Sequence, residues 1–286
     1  MMSFFPGSFW YGLIQRQIIF PGHLRQGKPA SVVQPPADAE LIPLRTAGGE
    51  RIVAMYGGAL TANGDTHPNA DRCPTIVYFY GNAMCLVDTV AQFGRIRRLG
   101  ANVLIPELVG YGMSSGVPSE QGCYDTAEAA YQYVQSRDDI DPAKIVAMGW
   151  SLGSGIAVQL ACRHKTAALL IFSSFTSMRH MAAKQYPFFP TSLILQHHFD
   201  NERKLATFDG PVFIAHGKQD RLVPSEMSRR LAAIAASRGC PVTRIVIDEA
   251  KHEDLFRVGG EQIRAELRRF LGRLGEQTEM PEGKAA

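Results

Sequence analysis

Short apolar runs rich in β-branched residues recur along this chain at 51–56, 75–80, 102–106, 144–148, 167–172, 211–215 and 242–247, and helix-like stretches separate them. A strand that is buried on both faces reads as a continuous apolar run, and parallel neighbours need a crossover of helical length between them. The alternation therefore predicts an α/β fold: a mostly parallel, doubly wound sheet flanked by helices. A chain of 286 residues is long enough to bury a large core, and one domain of this class accommodates it. The Gly- and Pro-bearing stretch 61–74 reads as turns, and no low-complexity linker or internal repeat marks a second domain.

The run Lys144–Met148 leads into Gly149-Trp150-Ser151-Leu152-Gly153, and Leu152–Cys162 continues as a small-residue helix. This is the G-x-S-x-G pattern of a nucleophile elbow, in which a serine is presented at a sharp strand-to-helix turn. A serine hydroxyl is a weak nucleophile, so it needs an exposed Oγ, an adjacent base and nearby N–H groups for a developing oxyanion. Glycines at 149 and 153 keep Cβ atoms out of the crowded turn. Asp220 follows the strand at 211–215, and His252 follows the strand at 242–247. Alone, each is an ordinary turn aspartate or loop histidine. Together with Ser151 they stand in the order Ser, Asp, His, at strand ends that share one rim of a parallel sheet.

Five ordered blocks, YFYGNAM (78–84), VGYGMSSGVPSE (109–120), GWSLGSG (149–155), HGKQDRLVP (216–224) and KHEDL (251–255), resemble the α/β-hydrolase superfamily over about residues 50–272. Within it they are similar to the compact α/β-hydrolase-domain proteins related to protein depalmitoylases and serine aminopeptidase-like hydrolases. The resemblance implies that Ser151 is the nucleophile, His252 the general base and then acid, and Asp220 the group that orients His252. It also implies an oxyanion hole made by the backbone N–H groups of Asn82 and Leu152. The chain departs from the family pattern at Tyr80, where histidine is usual, at Leu108-Val109, where Tyr-Arg is common, and at Glu253, where asparagine commonly follows the histidine.

The resemblance further implies a lid between the strands at 167–172 and 211–215. Residues 175–208 hold Met178, Met181, Tyr186, Phe188, Phe189, Leu193, Ile194 and Phe199, an apolar set suited to an acyl chain or to packing the lid on the core. Trp150, Met178, Met181, Phe188 and Phe189 are the expected substrate-binding residues. The expected reaction is cleavage of an ester or thioester on an acylated or small-molecule substrate. The same residues also serve peptide or amide cleavage, and a non-catalytic, membrane-associated protein of this fold is the alternative of another class. The expected organisation is an amino-terminal extension at 1–49, a hydrolase domain at 50–272 and a polar tail at 273–286.

No cofactor is expected. The P-loop-like stretch 22–28 has Pro29 where Ser or Thr would ligate magnesium, His252-Glu253 lacks the second histidine of H-E-x-x-H because position 256 is Phe, and the adjacent His197 and His198 do not face one another on a helix. A net charge of +3 is too small to imply a nucleic-acid surface. Five cysteines without C-x-x-C spacing, odd in number, point to a reducing, cytoplasmic setting. Residues 4–20 (FFPGSFWYGLIQRQIIF) contain no apolar run long enough to span a bilayer and lack the marks of a signal peptide. They have two readings, peripheral membrane contact and packing on the hydrolase core. The sequence does not determine the oligomeric state.

Overall fold

The computed structural model describes residues 7–188 and 194–278. Eight strands form one sheet: β1 (Glu40–Arg45), β2 (Arg51–Gly57), β3 (Thr75–Phe79), β4 (Asn102–Pro106), β5 (Ile145–Trp150), β6 (Ala168–Phe172), β7 (Val212–Gly217) and β8 (Val242–Ile247). Their spatial order is β1-β2-β4-β3-β5-β6-β7-β8. β1 and β2, and β2 and β4, pair antiparallel, while every pair from β4 to β8 is parallel. Strands β3, β4 and β6 are buried at every position, as their continuous apolar runs require.

The α-helices described in full are α1 (Gly7–Ile19), α2 (Val90–Arg97), α3 (Glu120–Gln135), α4 (Leu152–Arg163), α5 (Met178–Gln185), α6 (Asn201–Leu205), α7 (Ser225–Ser237), α8 (Leu255–Val258) and α9 (Gly260–Thr278). Local chemistry sets several starts. Ser119 caps α3 by accepting the Gly122 N–H, and Ser177 caps α5 by accepting the His180 N–H. Helix α4 has no side-chain cap, and its N-cap position is Ser151 itself.

After β3 the chain passes through α2 to β4 on one side, then through α3 back across to β5 on the other. The strand order thus reverses at β3 and β5, whose ends are adjacent with Phe79 opposite Gly149. A crevice outside the carboxyl ends of strands opens at such a switch point. Asn82 follows β3 and Ser151 follows β5, so both sit at its mouth.

Strand β1 lies inside the stretch 1–49 expected to be an extension; it contains Pro43 and has no fully buried position, both of which suit an edge strand. The same stretch ends α1 with Ile19 7% and Phe20 0% exposed, packed into the core. At the other end α9 continues through Thr278, beyond the start of the expected tail at 273. No helix among the described residues is long and apolar enough to cross a membrane.

Candidate active site

Ser151 has φ 54° and ψ −120°, a conformation rarely adopted by non-glycine residues, at the joint between β5 and α4. Its N–H donates to the Phe172 carbonyl of β6 at 2.9 Å, which pins the turn to the neighbouring strand. A Cβ on Gly149 would lie 2.1 Å from the Gly153 carbonyl oxygen, and one on Gly153 would lie 2.0 Å from the Phe79 carbonyl oxygen. The turn therefore requires glycine on both sides of the serine.

His252 reaches this point from the loop between β8 and α8. Its Nε2 lies 2.9 Å from Ser151 Oγ, and its Nδ1 lies 2.7 Å from Asp220 Oδ2. The other carboxylate oxygen, Oδ1, accepts the N–H groups of Leu222 at 3.0 Å and Val223 at 2.8 Å. Burial pushes the Asp220 carboxyl up, but hydrogen bonds from His216, His252 and Val223 outweigh it and hold the group well below the usual carboxylate range. All three side chains are buried, with residue exposures of 8%, 9% and 6% for Ser151, His252 and Asp220. An ionised carboxylate bound to Nδ1 leaves Nε2 free to accept the serine proton. Trp150 stacks on the His252 ring, with centroids 5.6 Å apart and planes at 28°.

The turn after β3 faces the elbow. The Gly81 carbonyl accepts the Met84 N–H at 3.2 Å, so the Asn82 N–H, trans across the same peptide plane, points the opposite way. The Asn82 carbonyl accepts the Gly22 N–H at 3.0 Å and the Tyr111 hydroxyl at 2.9 Å. Leu152 opens α4, where the first N–H groups of a helix have no intrahelical acceptor.

Tyr80, at the family's histidine position, is wholly buried and points away from any reacting group. Its hydroxyl donates to the Glu107 carboxylate and accepts the Leu108 N–H at 3.1 Å. Glu107 also accepts the N–H groups of Leu86 at 2.8 Å and Met113 at 3.3 Å, so one buried carboxyl ties the loop after β3 to the loop after β4. Burial raises its pKa despite these donors. At the Leu108-Val109 departure, both residues are buried and the Val109 N–H donates to Thr126 Oγ1 at 3.2 Å. Glu253 is exposed, while Asp254 accepts the Lys251 N–H at 2.7 Å and pairs with Arg257.

Two cavities meet at Ser151 and Asn82. One, about 870 Å³, is bordered by Trp150 and His252 and by the charged residues Lys218, Arg221, Lys251 and Glu253. The other, about 470 Å³, is apolar and is bordered by Leu152, Phe175, Met178, Met181 and Val223, together with Ile14, Ile18 and Ile19 of α1. Of the residues expected to bind substrate, Met178 and Met181 line the apolar cavity and Trp150 the larger one. Phe188 does not belong with them: it is 99% exposed and borders neither cavity. Helix α5 ends at Gln185 because Tyr186, which precedes Pro187, is driven out of helical geometry and has φ −131° and ψ 65°. Phe189 lies outside the described residues. The isoleucines of α1 and the buried His216 were not singled out from sequence; the i, i+4 spacing of Ile14 and Ile18 is the one signal that marks the former.

The sequence profile described as the alpha/beta hydrolase fold matches residues 74–194. An uncharacterized protein of Mycobacterium tuberculosis is 31% identical over 264 residues, covering 92% of this chain and 89% of the relative. The alpha/beta hydrolase domain-containing protein WAV2 of Arabidopsis thaliana is 31% identical over 206 residues, 66% of this chain and 67% of the relative. Among solved structures, an esterase of Pyrococcus furiosus superposes with a TM-score of 0.67 at 16% identity, covering 85% of this chain and 97% of that one. The chain belongs to the α/β-hydrolase family.

Proposed function

We propose that this protein is a serine hydrolase that cleaves a carboxylic ester or thioester through an acyl-enzyme on Ser151. The observation that carries the reading is the unbroken hydrogen-bonded chain from Ser151 Oγ to His252 at 2.9 Å and from His252 to Asp220 at 2.7 Å, placed at the sheet's switch point. In the forward step Ser151 Oγ attacks the substrate carbonyl carbon while His252 Nε2 takes the hydroxyl proton. Asp220 stabilises the imidazolium so formed. The carbonyl oxygen becomes an oxyanion opposite the Asn82 and Leu152 N–H groups, a contribution of about 3 kcal/mol per donor. Collapse breaks the bond to the leaving alcohol or thiol, which departs with the proton from His252. Water then enters, His252 takes its proton, and the second tetrahedral intermediate releases the acid and restores Ser151.

The test is covalent labelling with a fluorophosphonate probe, with the Ser151→Ala variant alongside and the adduct located by peptide mass. Labelling confined to Ser151 and absent from the variant is expected. A correctly folded wild-type protein that takes no label would overturn the reading.

A further inference from the structure

The apolar cavity beside Ser151 is not built by the hydrolase core and lid alone. One wall is helix α1, through Ile14, Gln15, Ile18 and Ile19, and the facing wall is α5, through Met178, Met181 and Ala182. These segments are far apart in sequence and are fastened across the cavity. Gln15 Nε2 donates to the Ile194 carbonyl at 2.7 Å, and Gln15 Oε1 accepts the Gln196 N–H at 2.8 Å. One side-chain amide thus clasps α1 to the segment that follows α5. Just past α1, Phe20 is wholly buried, with its ring edge-on to His197 at 5.0 Å. The helix is therefore held at two points, with Ile18 and Ile19 between them and Ile14 one residue before the first.

The lining contains no charged side chain among the described residues, and its volume of about 470 Å³ is in the range of ligand sites. Ile14 and Ile18 remain 54% and 51% exposed, so apolar surface is left open to a ligand rather than consumed in packing. Methionines on the opposite wall adapt to a flexible occupant. We propose that α1 and its Gln15 clasp complete an acyl-chain site, so that the acyl group of the substrate is a flexible aliphatic chain of medium length lying between Ile14, Ile18, Met178 and Met181. The assignment rests on the hydrolase reading for the identity of the reacting bond, but the binding of a chain does not require turnover.

The test therefore has two readouts. On the full-length Ser151→Ala protein, binding of a fluorescent fatty acid is measured, alone and with Ile18→Asp, Ala182→Trp or Val32→Asp added. Val32 is exposed and borders neither cavity. On the otherwise wild-type chain, kcat/KM is compared for octanoyl and acetyl esters. Each buried methylene strengthens binding about fourfold, so saturable binding and an octanoyl preference are expected. Ile18→Asp, which puts a charge in the wall, and Ala182→Trp, which fills the space, each weaken binding and lower the octanoyl-to-acetyl ratio about tenfold or more. Val32→Asp changes neither. No chain binding, or binding indifferent to both wall variants, overturns the proposal even if esters are cleaved. Chain binding that is lost in both wall variants, with no ester cleaved, sustains the site and overturns the hydrolase reading instead.

Discussion

The Nε2 of His216 lies 3.3 Å from Oδ2 of Asp220, the same oxygen that His252 Nδ1 meets at 2.7 Å. His216 Nε2 also donates to the Val223 carbonyl at 2.8 Å, so that nitrogen carries the ring hydrogen. Val223 in turn gives its N–H to the other Asp220 oxygen. The carboxylate is thus held between the end of β7 and the turn that follows it. Truncation to His216→Ala is expected to lower kcat about tenfold to a hundredfold by letting Asp220 and His252 drift, with KM little changed. His216→Gln, which retains a donor, recovers part of the loss. Steady-state kinetics on both variants check this.

Asp220→Asn removes the charge but keeps the size. The amide can donate to Nδ1 and favour the tautomer with hydrogen on Nε2, which cannot accept the serine proton. A fall of about ten-thousandfold in kcat is expected, with the fold retained by circular dichroism.

Ionisation of Asp220 also couples to stability. Its folded pKa lies below the ordinary 3.8, so the charged form is favoured by folding. The stabilisation is fully present above 3.8 and is lost as pH falls through that value toward the depressed one. Glu107 acts with the opposite sign: its raised folded pKa makes stability fall as pH rises above 4.5. Urea unfolding as a function of pH should show an acid limb that is shallower in Asp220→Asn than in the wild type.

Removal of one hydroxyl in Tyr80→Phe leaves the Leu108 N–H and part of the Glu107 carboxyl unpaired in a buried site. A loss of about 1–3 kcal/mol is expected from urea unfolding. A lower kcat should accompany it, because Glu107 holds the Leu86 N–H and with it the loop that contains Asn82.

The elbow is less forgiving. Gly153→Ala places a Cβ against the Phe79 carbonyl, which can be relieved only by separating α4 from β3. A cost above about 4 kcal/mol is expected, read as loss of soluble, cooperatively unfolding protein.

Most of the sheet was legible in the amino-acid sequence. The seven runs that became β2 to β8 are locally encoded: β3, β4, β6 and β7 are buried at every position and must be apolar, and the half-buried edge strand β8 is marked by its β-branched residues. The elbow was equally legible, since the stereochemistry of one tight turn demands its two glycines. That Ser151, Asp220 and His252 meet was legible because each follows a strand on the same rim. Strand β1 escaped notice because an edge strand tolerates Pro43 and needs little apolar content. Phe188 resembled its apolar neighbours in composition, yet it is exposed and borders neither cavity.

Sequence alone determined where β2 to β8 fall, where the serine turns and in what order its partners follow, since these depend on residues near one another in the chain. Only tertiary structure decided that His216 steadies Asp220, that Glu107 joins two loops and that α1 walls a cavity. Gln15 meets Ile194 across a sequence separation of 179, and no local pattern records which distant segments the fold will bring together.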